Sequence, residues 1–365
     1  MKDNTFNLRI PGPTPIPSEV IKSSARQMIN HRGKTYEEIQ KRITGNLKYF
    51  FQTENDILLL TSSGMGGLEA AVVNFFSPGD KLVFFTCGEF GNRWAEIGKR
   101  YGADVVHVKF TPGKRVDKDT VYEILEKNDN VSGVFITHNE TATGVINPIP
   151  KFSSIISNHK NKPLFLVDSI SALGAVDLPA DKLGIDVLVT ASQKAWMAPP
   201  GIAMISVSRR AWNRQVNARM PKYYFDLSMY REFSIKNQTP ATPAVGVLYG
   251  LDKSLEIMRK EGREEIFKKH TDLKDYIRGK IKSSKLQLFV TDDNASPTVT
   301  SIRIPIGIDF HQWIALLREK YKVVVVGGMG ETKGKIIRIA HMGYVTKNDL
   351  DQTVTALIKS LEKLS

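Results

Sequence analysis

Between residues 57 and 207, short apolar runs alternate with helical stretches. Ile57–Leu60, Leu82–Thr86, Val105–Val108, Val131–Thr137, Leu164–Val167, Val187–Thr190 and Ile202–Val207 have the length of strands. Most are apolar throughout instead of alternating with polar residues, so both faces of each must be buried. Helical stretches fall between most of them, at 68–76, 93–101, 120–127 and 150–158. Strands interleaved with helices predict an α/β fold: a mostly parallel sheet covered on both faces.

The flanks read differently. Residues 9–17 hold four prolines in nine positions, which forbids a helix and favours an extended arm. Ser18 is expected to cap a helix running through about Asn30. Thr35 and Glu38 stand at capping-box spacing before Ile39, Ile43 and Leu47, which recur on one helical face. After Leu251 a long charged helical region, carrying Leu255, Met258, Ile266, Leu273, Ile277 and Ile281, runs to about Ser283. Strands are expected at Gln287–Val290, Val299–Ile304, Val323–Val326 and Ile336–Ala340, with a helix at Phe310–Tyr321. A last helix opens at Thr346 with Asp349 at capping-box spacing. This predicts an arm at 1–20, a large domain at 21–254 and a smaller α+β C-terminal domain at 255–365.

Lys plus Arg number 51 against 38 Asp plus Glu, a net charge of +13. The basic residues are spread over both halves, which favours solubility and steering of acidic substrates over a nucleic-acid partner. The single cysteine, Cys87, excludes an internal disulfide. No apolar run has the length of a membrane span, and Met1–Ile10 lacks the apolar region of a secretory signal, so the cytoplasm is the expected location.

Five segments could carry chemistry. Ser63-Gly64-Met65-Gly66-Gly67 follows a strand and opens a helix, where free N–H groups could cradle a phosphate; a plain tight turn fits the same residues. Asp168 ends a strand, at the edge where open α/β sheets bind ligands, though an acid there can also serve a turn. Lys194 follows another strand among apolar and rigid neighbours, Trp196 to Gly201; desolvation there lowers an amine pKa, as a Schiff-base lysine requires. His138 to Gly144 concentrates hydrogen-bonding side chains after a third strand. Arg338 lies inside an apolar strand, to be paired with an internal acid or to await a substrate carboxylate.

Taken together, Val167-Asp168-Ser169, Ser192-Gln193-Lys194, Ala198-Pro199-Pro200-Gly201, the Pro-Gly-Pro-Thr-Pro arm, His31-Arg32-Gly33 and the Gly327-Gly328 and Arg338-Ile339 region make the chain resemble the class V (fold-type I) aminotransferases, of the alanine/serine–glyoxylate or serine–pyruvate branch. The resemblance covers nearly the whole chain. It implies pyridoxal 5′-phosphate held by Lys194 as a Schiff base, with Asp168 on the pyridine nitrogen. It further implies Ser63, Gly64, Met65 and Gln193 at the phosphate, Phe90 stacked on the ring, Thr141 beside it, and Arg338 as a fork for the substrate carboxylate. Thr239 and Thr242 would reach the phosphate of a neighbouring subunit, which implies a homodimer with active sites at its interface. No metal is implied. The implied reaction is ping-pong transfer of an amino group from a small amino acid, alanine or serine favoured, to glyoxylate or pyruvate.

Met65 stands where relatives often carry Thr or His, Ala142 where they often carry Ser, and Phe90 where some carry Trp. Other activities on the same scaffold are a 2-aminoethylphosphonate-type transaminase and a cysteine desulfurase. The latter would need a mobile thiol, whereas Cys87 reads as packing. A non-enzymatic protein that merely holds the aldehyde has the least support.

Overall fold

The computed structural model describes residues 6–364; the first five residues of the expected arm lie outside them. In chain order the elements are β1 (Asn7–Leu8), α1 (Ser18–Ser24), α2 (Lys34–Phe51), β2 (Asp56–Thr61), α3 (Gly64–Val73), β3 (Lys81–Thr86), α4 (Glu89–Arg100), β4 (Asp104–Lys109), α5 (Lys118–Glu126) and β5 (Val131–Thr137). A small ribbon, β6 (Asn139–Glu140) and β7 (Val145–Ile146), precedes α6 (Ile149–Asn158), β8 (Leu164–Asp168), β9 (Val187–Ala191) and β10 (Ile202–Val207). Helices α7 (Arg209–Gln215), α8 (Leu227–Ser234), α9 (Val245–Glu261) and α10 (Arg263–Lys282) follow. The chain ends with β11 (Val299–Arg303), α11 (Phe310–Glu319), β12 (Val323–Val324), β13 (Val326–Gly327), β14 (Ile336–Ala340) and α12 (Lys347–Leu364).

Seven strands form the main sheet in the order β2-β10-β9-β8-β5-β3-β4. Only β10 runs against its neighbours; the other pairings are parallel. Successive residues of one strand enter opposite cores. Leu82 and Phe84 pack on one face while Val83 and Phe85 pack on the other, and Phe165 and Val167 alternate in the same way with Leu164 and Leu166. Strands apolar at every position are therefore what two covered faces demand. A second, three-stranded antiparallel sheet, β11-β14-β13, packs with α10, α11 and α12 around Trp313, Ile337 and Leu357.

Several local expectations are corrected. The first helix ends at Ser24, not near Asn30, and Pro17 occupies its N-cap without a side-chain bond. There the chain meets α9: Ser23 Oγ donates to the Tyr249 carbonyl, the Tyr249 hydroxyl donates to the Gln27 carbonyl, and Arg26 lies over the Tyr249 ring. These contacts hold the chain where it leaves the helix. The box at Thr35 and Glu38 does not form, because α2 starts earlier, from Gly33, whose carbonyl accepts the N–H groups of Tyr36 and Glu37. Gln287–Val290 is not a strand; one bridge, Leu288 to Ile302, is all that pairs. The expected strand Val323–Val326 divides: β12 pairs with β1 of the arm and β13 with β14. At α12 the box does form, with Thr346 N donating to Asp349 Oδ2 at 2.8 Å and Asp349 N to Thr346 Oγ1 at 3.2 Å.

The long charged helical region is two helices. Gly262 separates them with φ +86°, a left-handed backbone that other residues resist. The expected division at 255 falls inside α9, whose Leu255 and Met258 pack in a core of the main sheet.

Candidate active site

Parallel strands send their carboxyl ends to one edge of the sheet, and five of them deliver chemistry there. Ser63 and Gly64 follow β2 at the start of α3, Phe90 follows β3 in the first turn of α4, and His138–Thr141 follow β5. Asp168 ends β8, and Gln193 and Lys194 follow β9. All of these except His138 and Glu140 border a pocket of about 120 Å³. Eight of the ten residues expected at a cofactor border it: Ser63, Gly64 and Met65 at the start of α3, Phe90 and Thr141, and Asp168, Gln193 and Lys194. Gly64 packs closely on the Ile170 side chain: a Cβ there would lie 2.6 Å from Ile170 Cδ1, which would have to turn away.

Asp168 is buried and accepts the Ile170 N–H at 2.9 Å and the Thr137 hydroxyl at 3.3 Å. Burial pushes its carboxyl up to about 6, against those bonds and the charge of Lys194. The Lys194 amine goes the other way. Burial brings it down to about 8, with Asp168 opposing the shift and Arg338 adding to it. At neutral pH an appreciable share of this amine is the neutral nucleophile. Its neighbours are Pro11, whose carbonyl accepts a hydrogen bond from Nζ, and Gly12. Thr14 fixes the arm in that position: its N–H donates to the Gln193 carbonyl at 3.1 Å and its hydroxyl to the Lys194 carbonyl at 3.0 Å.

Arg338, on β14, comes from the second sheet and is buried. Nε donates to the Gly327 carbonyl at 2.8 Å and Nη1 to the Thr141 carbonyl at 3.0 Å. Among the described residues it makes no ion pair, so of the two expectations for this arginine the internal acid partner is not found. Burial holds its guanidinium down at about 10, with Glu140 favouring the cation. Thr239 and Thr242 do not border the pocket of their own chain. Thr239 Oγ1 donates to the Ala241 carbonyl at 2.7 Å, and Thr242 is exposed. Cys87 is buried against Val145 and Val290, and burial pushes its thiol up to about 12.

Sequence reasoning missed four contributors. Ile170 and Ser171 border the pocket just beyond Asp168, and Asn139 borders it beside Thr141. Asn139 Nδ2 donates to Ser171 Oγ at 2.7 Å and to Thr298 Oγ1 at 2.9 Å, while its buried Oδ1 has no partner. The arm reads as extended chain and as part of the family resemblance, without Pro11 or Gly12 being assigned to Lys194. The polar run after β5 was the available signal for Asn139; nothing local marks the arm as a cover for Lys194.

The aminotransferase class-V family model matches residues 8–353. The soluble hydrogenase 42 kDa subunit of Anabaena cylindrica is 38% identical over 97% of this chain and 93% of that relative. The L-aspartate–glyoxylate aminotransferase of Paracoccus denitrificans is 35% identical over 92% of this chain and 86% of that one. Among solved structures, an alanine–glyoxylate aminotransferase from Nostoc sp. superposes with a TM-score of 0.94 at 26% identity, covering 98% of this chain and 95% of its own. Among the described residues, no group of three or more His, Cys, Asp or Glu is placed to hold a metal ion.

Proposed function

The chain belongs to the aminotransferase class-V family, and from that membership we propose that it moves an amino group from a small amino acid, alanine or serine favoured, to a 2-oxo acid, glyoxylate or pyruvate, with pyridoxal 5′-phosphate as its cofactor. One observation carries the reading: Asp168 and Lys194 meet at a single pocket from the ends of adjacent parallel strands, one acid and one amine, each with its proton affinity moved toward neutrality by burial.

The residues present suit that cofactor. A helix N-terminus at Ser63-Gly64 offers N–H donors to a phosphate. Gln193 borders the same pocket, and its side-chain amide N–H groups would be the donors toward that phosphate. Lys194 would hold the cofactor through its ε-nitrogen, and Asp168 would keep the pyridine nitrogen protonated. When bound, the cofactor supplies an aldehyde carbon and an electron-accepting ring.

The chain's own groups do the rest. Phe90 would cover a face of the ring and Thr141 would lie beside it, since both border the pocket. Arg338 presents a fork to the substrate α-carboxylate, with Gly327 and Thr141 holding it in place. The Lys194 amine, once free, moves the proton at the substrate α-carbon. The Pro11–Gly12 arm limits the access of water to that amine. We read the functional unit as a homodimer, in which Thr239 and Thr242 of one protomer serve the phosphate site of its partner.

The relatives support glyoxylate as acceptor, since the Paracoccus and Nostoc proteins share it in name while their donors differ, aspartate in one and alanine in the other. The test is a panel of donors (alanine, serine, aspartate, 2-aminoethylphosphonate) against glyoxylate, pyruvate and 2-oxoglutarate, using protein loaded with pyridoxal phosphate. Fastest turnover with alanine or serine and glyoxylate or pyruvate is the expected result. A loaded protein that converts no pair would overturn the proposal.

A further inference from the structure

Glu140 is fully buried, and the reaction outlined above gives it no task. Its Oε2 accepts the backbone N–H groups of Phe90 at 3.0 Å and Gly91 at 3.2 Å, in the first turn of α4. Its Oε1 accepts the N–H of Ala142 at 2.9 Å. One carboxylate therefore ties together two loops that leave different strands, β3 and β5. The cap of α4 is Gly88, which has no side chain to offer the helix start. Glu140 supplies from another strand what a capping residue would supply locally. The glycine is a matter of space: a Cβ at Gly88 would stand 2.4 Å from Glu140 Cγ, while its φ of 173° is ordinary extended backbone.

The same segment also reaches Arg338 on β14. Thr141 follows Glu140 directly, and the Thr141 carbonyl accepts Nη1 of Arg338. Arg338 has no ion pair among the described residues; burial pushes the Glu140 carboxyl up to about 7, against its backbone hydrogen bonds and with Asp168 adding to the shift, and in its ionised form Glu140 favours the Arg338 cation. Burying a carboxylate without a bonded cation is costly, and an apolar side chain would fill the same volume without that cost.

We propose that Glu140 is a positioning residue that sets Phe90 against the cofactor ring and, through Thr141, sets Arg338 against the substrate carboxylate. The inference rests on the aminotransferase reading above.

Glu140→Gln keeps the volume but replaces one acceptor oxygen with a donor that must face a backbone N–H, so one of the two loops is released. In protein saturated with pyridoxal phosphate, the circular dichroism of the visible cofactor band should fall by about half. The cofactor Kd and the KM for amino and oxo acid should each rise by about ten-fold, with a smaller loss in kcat. Glu140→Asp keeps the charge on a shorter arm and should fall between wild type and E140Q; it decides the matter by the same readouts if E140Q does not fold. Asp117→Ala removes the side-chain cap of α5, outside the pocket, and should lower Tm while leaving band and KM unchanged. If E140Q and E140D behave like D117A while wild type shows a normal band, Glu140 is only structural and the proposal is overturned. A wild-type protein that develops no cofactor band overturns the aminotransferase reading itself, and this inference with it.

Discussion

The ε-amine of Lys194 donates to the carbonyl of Pro11, and a methyl group on the adjacent Gly12 would stand 2.5 Å from the same nitrogen. A segment 183 positions away in sequence thus sits on the lysine that would hold the cofactor. Gly12 is held at φ +126°, so it is required both by its backbone and by its neighbour. Gly12→Ala should cost more than about 1 kcal/mol of stability. It should also slow capture of pyridoxal phosphate by apo-protein, measured by stopped-flow absorbance, with far-UV circular dichroism unchanged. Capture at the wild-type rate would remove the arm from the site.

Lys194→Ala removes the amine while leaving the pocket's other donors in place. The visible band of the loaded protein should be lost, and turnover should fall by at least about three orders of magnitude, in line with removal of a covalent and acid–base group. Full turnover in this variant would end the assignment.

The pH dependence follows from the lowered amine. With Lys194 brought to about 8, cofactor capture should rise with pH up to that value and level off above it. The sign for stability is the same: between about 8 and the ordinary lysine value the unfolded chain binds a proton that the folded chain has released, so the apo-protein gains stability as pH rises through that window. Asp168 opposes the depression of the amine. In Asp168→Asn the midpoint of capture should therefore move to lower pH, and a midpoint moved upward would contradict the arrangement.

Arg338→Ala deletes a charged fork, worth on the order of 100-fold in kcat/KM if it binds the substrate carboxylate. Arg338→Lys keeps the charge without the fork and should still raise KM by about ten-fold. Steady-state kinetics with unchanged kcat/KM for every donor and acceptor in both variants would refute the role.

Cys87→Ala should leave transamination within about two-fold of wild type and lower stability by about 1 kcal/mol, since the thiol is buried in packing and held protonated. A large loss of turnover, with sulfur released from cysteine by wild type, would instead point to desulfurase chemistry.

Much of the site was legible because it lies at strand ends. Asp168 and Lys194 each follow an apolar run, and the alternation that predicts a parallel sheet also predicts that such ends share one edge. The errors came where a local signal met a distant partner. Ser18 and Thr35 look like caps, yet Pro17 takes the cap position of α1, which ends where the chain meets Tyr249, and α2 starts from Gly33. Val323–Val326 reads as one strand, but its halves pair with different partners.

The α/β class, the doubly covered sheet and the two titratable residues at its edge are legible along the chain, because periodicity and strand-end placement are properties of neighbouring residues. What encloses them depends on how distant segments pack. The cover of Pro11 over Lys194, the hold of Thr141 on Arg338 and the tie of Glu140 between two loops join residues from 49 to 197 positions apart. Such contacts arise when layers pack and buried polar groups find partners, and no local pattern of side chains specifies which distant groups those will be.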